Sequence, residues 1–216
     1  SFISCQKEEA EIPQIDYSFF LDSVGLEYVY DCEYRIIDEP IDKDTIMHYK
    51  LKLIYESEFI DNQGQRTIRV ERYKKDSGTA VYNIDAVWTI NRLVSSVQSV
   101  EENNRYVKLV FPVEEGKRWN GNAYNTLEEE EYEITGVDTE TVGNTEYENV
   151  ASVLQADEES LIHKKYKIEK YAAGTGLLYL EQIDIETSII DTTSIFDRIE
   201  RGIIYKQTLE SFTSLN

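Results

Sequence analysis

Residues 27–36 read Glu-Tyr-Val-Tyr-Asp-Cys-Glu-Tyr-Arg-Ile and alternate between two kinds of side chain. The odd-numbered positions are mostly charged, whereas the even-numbered positions are aromatic, aliphatic or sulfur-containing. Successive side chains of a β-strand point to opposite faces of the sheet. The alternation therefore predicts a strand with one buried and one solvated face. The predicted buried face consists of Tyr28, Tyr30, Cys32, Tyr34 and Ile36.

The same period of two recurs along most of the chain. In one such segment Ile162, Tyr166 and Ile168 form an apolar face against the polar face of Lys165, Lys167 and Glu169. No apolar pattern of helical period is sustained, and two segments (93–100 and 192–201) fit either a strand or a short helix. We therefore predict an all-β, mainly antiparallel fold with few short helices. Its other strands are expected within 51–59, 107–113, 132–134, 177–185 and 203–212, separated by turn residues such as Asn62-Gln63-Gly64.

Length and charge restrict the organisation and the partners. The chain has 216 residues, of which 42 are acidic and 22 basic, giving a formal net charge of -20. A field of this sign repels phosphate backbones, so nucleic acid is not an expected partner. The length suits one β domain, which we place at residues 21–216. A segment rich in glycine and asparagine, residues 116–125, could separate two halves of this domain.

The first residues, Ser1-Phe2-Ile3-Ser4-Cys5, resemble the end of a bacterial lipoprotein signal peptide. In that pattern a small residue precedes the cysteine that receives the lipid. We predict that residues 1–4 are a remnant of the signal peptide, that Cys5 is lipidated, and that residues 5–20 begin with this cysteine and form a flexible linker. Two or more acyl chains would anchor the domain stably to a membrane.

Two alternatives to this interpretation of Cys5 stay open. The segment could be an ordinary charged N-terminus that contains a cysteine by chance. A Cys5–Cys32 disulfide would also suit an oxidising compartment, and it is incompatible with lipidation. If Cys5 carries lipid, Cys32 is expected to be a buried free thiol.

The residues after Cys5, Gln6-Lys7-Glu8-Glu9, resemble the lipoprotein export signal of Bacteroidetes-type bacteria, a lysine followed by two acidic residues. The resemblance implies an outer-membrane lipoprotein that faces the cell exterior. The alternative location is the periplasmic face.

A second resemblance covers residues 116–186. Tyr171-Ala172-Ala173-Gly174-Thr175-Gly176-Leu177 and the earlier segment 144–150 are similar to a pattern in uncharacterised secreted β proteins and lipoproteins of Bacteroidetes-type bacteria. That pattern has a Gly-x-aromatic-x-x-Val step, here with its glycine displaced to Gly143, and a later Tyr-Ala-x-Gly-x-Gly-Leu. The resemblance implies a curved, half-barrel-like antiparallel sheet related to lipoprotein-carrier folds, and it implies no catalytic residues.

The sequence contains no recognisable catalytic motif. Gly174-x-Gly176 lacks the third glycine and the following helix of a phosphate-binding loop. His48 and His163 are too few for a metal centre, and no Gly-x-Ser-x-Gly elbow is present. The acidic run 128–131 lacks the aspartate and glycine of calcium loops, so we interpret it as a solvated strand edge. We expect no cofactor, no metal and no catalytic residue.

Trp119 and Tyr124, in the 116–125 segment, are the candidate contacts for a ligand or partner. An exposed tryptophan could stack on a sugar or anchor a protein, whereas a Trp119 folded back onto the sheet would plug its end. We expect non-catalytic binding of a glycan, a peptide or a partner protein. The alternative is a carrier of a lipid or other apolar molecule inside a curved sheet. We rank a carboxylate-based hydrolase third. Among 42 acidic residues some pair has the carboxylate separation of a glycosidase by chance, so such a pair is weak evidence for catalysis.

Overall fold

The computed structural model describes residues 14–214 of the chain. These residues form twelve strands and two short 3-10 turns, Glu39–Ile41 and Ile195–Asp197. None of their helices is long and apolar enough to cross a membrane. The strands are β1 (Leu26–Asp38), β2 (Lys43–Ile60), β3 (Arg66–Asp76), β4 (Asn83–Arg92), β5 (Ser96–Glu101), β6 (Asn104–Val110), β7 (Arg118–Asn120), β8 (Glu131–Val142), β9 (Thr145–Glu159), β10 (His163–Ala172), β11 (Gly176–Glu186) and β12 (Arg201–Ser214).

All twelve strands belong to one antiparallel sheet that is curved into a nearly closed barrel. Their order is β6-β5-β4-β3-β2-β1-β12-β11-β10-β9-β8-β7. The chain therefore makes two six-stranded meanders, β1 to β6 and β7 to β12, which join where β1 pairs with β12. The prediction of an all-β, antiparallel and curved sheet is confirmed.

The barrel closes where the two edge strands, β6 and β7, come together. The Val107 N–H donates to the carbonyl of Gly121 at 2.9 Å, and the Trp119 indole N–H donates to the carbonyl of Val107 at 2.8 Å. The Asn125 side-chain amide adds a bond to the carbonyl of Arg105 at 3.0 Å. These contacts use backbone groups that an open sheet edge would leave unpaired.

Tyrosines fill much of the interior next to β1. Tyr28 and Tyr30 are 2% and 1% exposed, and their rings stack with centroids 6.2 Å apart. Their hydroxyls donate to the carbonyls of Thr175, in the β10–β11 turn, and Leu177, at the start of β11. Buried tyrosines are stable where the hydroxyl finds such an acceptor. The predicted alternation in β1 therefore holds from Tyr28 to Cys32, beyond which Tyr34 and Ile36 are half-buried.

The described segment before β1 covers one end of the barrel. In an antiparallel meander that begins with β1, the β4–β5 and β10–β11 turns lie at the end where β1 starts. The segment before β1 is hydrogen-bonded to both of these turns. The Tyr17 hydroxyl donates to the carbonyl of Val94 in the first turn, and the Gly174 N–H in the second turn donates to the carbonyl of Ser18. Phe19 and Phe20 are buried between them. Residues 14–20, which the sequence assigns to the linker, thus pack as an end plug.

Candidate functional site

A cavity of about 100 Å³ lies inside the barrel, next to the plug. Its walls are mainly apolar, and the polar side chains in its lining come from β3, β5, β6, β10 and β12. A dry cavity of about 150 Å³ is large enough to bind benzene, so this space suits a molecule of a few heavy atoms. The apolar wall includes Tyr30, Leu51, Leu53, Trp88, Ile90 and Leu180, and the polar lining residues are Arg72, Ser99, Glu101, Lys108, Glu169 and Gln207.

A buried ion pair forms part of the polar lining of the cavity. The Lys108 ammonium lies 2.6 Å from Oε1 of Glu169, whose side chain is 0% exposed, and 3.7 Å from Oε1 of Glu101. The Tyr171 hydroxyl donates to Oε2 of Glu169 at 2.5 Å. Both oxygens of the buried carboxylate therefore have donors, which is the condition under which a buried charge is tolerated.

A β-bulge accounts for the position of Lys108. In the β5–β6 register Val97 pairs with Leu109 and Gln98 pairs with Val107, which leaves Lys108 as the extra residue. A bulge bends the strand and changes the direction of its side chains. Lys108 thereby joins the interior, where it meets Glu169 of β10.

Electrostatics favour the charged forms of both partners. Burial would raise the pKa of Glu169, but the positive charges of Lys108 and Lys167 and the hydrogen bonds from Lys108 and Tyr171 hold it below its usual 4.5. Burial would lower the pKa of Lys108, but the carboxylates of Glu101 and Glu169 hold it above its usual value. The pair is therefore ionised at neutral pH.

The lowered pKa of Glu169 predicts an acid-sensitive contribution to stability. Such a carboxylate stabilises the fold above its unfolded-state pKa, and the contribution is lost as pH falls through the lower folded-state value. Relative to the Lys108→Met/Glu169→Leu double variant, the wild type should lose free energy of unfolding between about pH 5 and pH 3. Urea unfolding of both proteins across this range measures the difference. A difference that does not change with pH would contradict the assignment.

The interior face of β10 corrects the sequence interpretation. Lys165, Lys167 and Glu169 were expected on a solvated face, yet Glu169 is fully buried inside the barrel. Ile168, expected in the core, is buried too, although it lies outside the main core cluster. The interior of a barrel that contains a buried ion pair is partly polar, so alternation alone did not reveal that the polar face of this strand reaches the interior. A glutamate two residues before a tyrosine on the same strand face was the available signal, and it is not specific.

The predicted contact residues lie away from the cavity. Trp119 is half-buried in β7 rather than in a loop, and its ring contacts that of Tyr132 edge-on at a centroid distance of 5.9 Å. Tyr124 is 62% exposed in the β7–β8 loop. That Trp119 and Tyr124 contact a ligand or partner stays a prediction. Cys5 lies outside the described residues, and Cys32 is buried, with its sulfur accepting the Tyr205 hydroxyl at 3.4 Å.

The other candidate clusters form surface ion pairs. Glu130 pairs with Lys165, and Arg118 bridges Glu131 and Glu133. His48 and His163 lie beside separate carboxylates on the surface. Within residues 14–214 no group of three or more potential ligands could hold a metal ion.

Comparisons with known proteins identify one similar structure. It is described as the crystal structure of a "putative lipoprotein" from Parabacteroides distasonis ATCC 8503. The two chains share 10% identity with a TM-score of 0.48 over 93% of this chain and 100% of the other. No family model and no curated protein sequence matches the chain.

Proposed function

We propose that this protein is a lipid-anchored envelope protein whose barrel binds a small, largely apolar ligand. The observation that carries this proposal is the interior cavity of about 100 Å³, whose wall is mainly apolar with a few polar side chains. Ligand sites are typically concave and mainly apolar, with a few polar groups that fix orientation. The cavity has this composition.

The size of the cavity limits the size of the ligand that the barrel could carry. Pockets for drug-sized ligands usually enclose about 300–1,000 Å³, several times the space found here. A complete acyl chain would therefore require the plug or the walls to move. A ligand of about four to six heavy atoms fits the cavity as it stands.

Trp88 offers a direct test, because it lines the cavity and the chain has only two tryptophans. In a Trp119→Phe background, titration with 1-butanol should change Trp88 emission saturably. Leu180→Phe, which adds bulk to the cavity wall, should weaken this binding at least tenfold. Leu161→Phe is the matched control, since Leu161 is 53% exposed in the β9–β10 loop and should leave binding unchanged.

Two results would count against interior binding. One is a linear, non-saturating emission change, which would indicate a solvent effect only. The other is equal binding by the Leu180→Phe and Leu161→Phe variants, which would place the alcohol outside the barrel.

The membrane anchor is supported by the position of Cys5 and by the plug. Nine residue steps separate Cys5 from Gln14, an extended reach of about 30 Å. The chain enters the barrel at the plugged end, so a lipid on Cys5 would hold this end toward the membrane. The loop that carries Tyr124 is at the opposite end of the meander and would face away.

Cys5→Ala is expected to release the full-length protein, including its upstream signal, from the membranes of its native host. The physical reason is the loss of the acyl chains, which provide the attachment. Fractionation of membranes and soluble material with an antibody to the domain measures the effect. Cys32→Ala is the control and should stay with the membranes, whereas retention of the Cys5→Ala protein would refute the anchor.

The side of the membrane is proposed from Gln6-Lys7-Glu8-Glu9, which resembles a surface-export signal. Protease added to intact cells should then digest the domain. Full protection in intact cells, with digestion after lysis, would indicate the periplasmic face instead.

A further inference from the structure

Arg72 is a cation in the wall of the interior cavity, and one of its hydrogen-bond donors has no acceptor. The side chain lines the cavity together with Val70, two residues earlier on the same face of β3. Its Nε is buried and has no hydrogen-bond partner within residues 14–214. A guanidinium only donates hydrogen bonds, so this N–H needs an acceptor. Buried polar groups in native proteins nearly always have a partner, so the free N–H marks a place for an acceptor on a ligand.

Two contacts hold the guanidinium at the cavity wall and leave its Nε–H unused. The Arg72 Cζ lies 5.1 Å from the ring centroid of Trp88, which also lines the cavity. In the β3–β4 register a bulge follows the Arg72–Ala86 pair and makes Asp85 the extra residue. The Asp85 carboxylate forms an ion pair with Nη1 of Arg72. The charge of Arg72 is therefore compensated, whereas its Nε–H stays free to donate.

The charges around the cavity favour a neutral ligand over an anion. Arg72 pairs with Asp85. Lys108 pairs with Glu169 and lies 3.7 Å from a second carboxylate, that of Glu101. An anion would therefore find no unpaired cation among the described residues that line the cavity, and burial of an unpaired charge is costly. A neutral acceptor needs only the free N–H of Arg72.

We propose that the ligand is a short-chain compound with a neutral carbonyl group, whose oxygen accepts the Arg72 Nε–H while its apolar part fills the cavity. This inference rests on the proposed function, because the cavity must hold the remainder of the molecule. A carbonyl oxygen only accepts, which complements a group that only donates. Hydrogen bonds from a charged donor are about twice as strong as neutral ones. Leu53, which pairs with Arg72 across β2 and β3, also lines the cavity and places apolar surface directly beside the guanidinium.

2-Pentanone and 2-methyl-1-pentene test the inference, because they have the same shape and differ only in an oxygen that replaces a methylene group. In the Trp119→Phe background, the midpoint of a Trp88 emission titration measures the affinity for each compound. Arg72→Met should weaken 2-pentanone binding about tenfold, which corresponds to about 1.4 kcal/mol. The same variant should leave the affinity for 2-methyl-1-pentene within about twofold. Because Arg72 lies against Trp88, the starting emission changes as well, and the affinity is taken from the midpoint.

Arg69→Met is the matched control for the loss of an arginine from β3. Arg69 lies three residues before Arg72, on the opposite face of the strand, and pairs with Glu56 and Glu71. This control should leave both affinities unchanged. Equal losses of ketone and alkene affinity in Arg72→Met, or no loss of either, would overturn the carbonyl site and leave the cavity proposal standing.

The infrared carbonyl stretch of bound 2-pentanone provides a second readout, which uses the wild-type protein and does not depend on the folding of a variant. A hydrogen bond from a charged donor weakens the C=O bond, so the stretch should lie at a lower frequency than that of the ketone in hexane. A frequency equal to the hexane value would overturn the carbonyl site, and so would tighter binding of butanoate than of 2-pentanone. Absence of saturable binding by both 2-pentanone and 2-methyl-1-pentene would overturn the cavity proposal as well.

Discussion

Glu169→Leu is expected to destabilise the protein by about 3–5 kcal/mol, the usual cost of removing one partner of a buried ion pair. The variant leaves the Lys108 ammonium, 14% exposed, without its closest carboxylate. It also leaves the Tyr171 hydroxyl, which donates to Glu169, without its acceptor. Urea unfolding followed by far-ultraviolet circular dichroism measures the loss as a lower midpoint.

The double variant Lys108→Met/Glu169→Leu is the decisive control. Replacing both partners of a buried pair with apolar residues is often neutral or stabilising, so the double variant should recover most of the loss. If the free energy of unfolding of Glu169→Leu lies within about 1 kcal/mol of the wild-type value, the Glu169 carboxylate is solvated. Additive losses in the double variant would show that the two side chains do not interact.

Gly202→Ala is expected to cost about 3 kcal/mol or more, through a clash and a strained backbone together. Gly202 pairs with Ile37 of β1 and Ile185 of β11 and has a φ of +138°. A Cβ at this position would lie 2.1 Å from the carbonyl oxygen of Asp184. The neighbouring backbone belongs to a paired strand, so it cannot easily move away.

Gly78→Ala distinguishes the cost of the steric clash from the cost of the strained backbone. Gly78 has a φ of +80°, but its added Cβ meets nothing within 4 Å. The control should therefore show backbone strain alone, about 1 kcal/mol. Similar urea midpoints for the two variants would contradict the close approach of β11 to Gly202.

Alternation of side chains was sufficient to predict the sheet. It located β1 and β10 to β12 within a few residues and found only the second half of β2, and the glycines of the 171–177 pattern form the tight β10–β11 turn with φ values of +75° and +99°. The two ambiguous segments differ in outcome. Residues 96–101 form β5, while 195–197 form a 3-10 turn. Short apolar runs do not distinguish these states, because packing decides between them.

The interior site could not be predicted in the same way. Lys108 faces inward at a bulge, and a bulge adds one residue to a strand without a sequence signature that alternation can detect. Lys167 and Glu169 have the pattern of a solvated face, and their burial follows from closure of the barrel around them. Trp119 was selected for its polar neighbours, but its hydrogen bond to Val107 contributes to that closure.

A bromine-labelled compound can show whether the barrel interior binds a small ligand. A crystal soaked with 3-bromo-1-propanol should show a strong anomalous bromine peak inside the barrel, in contact with Leu51 and Trp88 on the cavity wall. Bromine peaks confined to the outer surface, with the interior closed by its own side chains, would contradict the account.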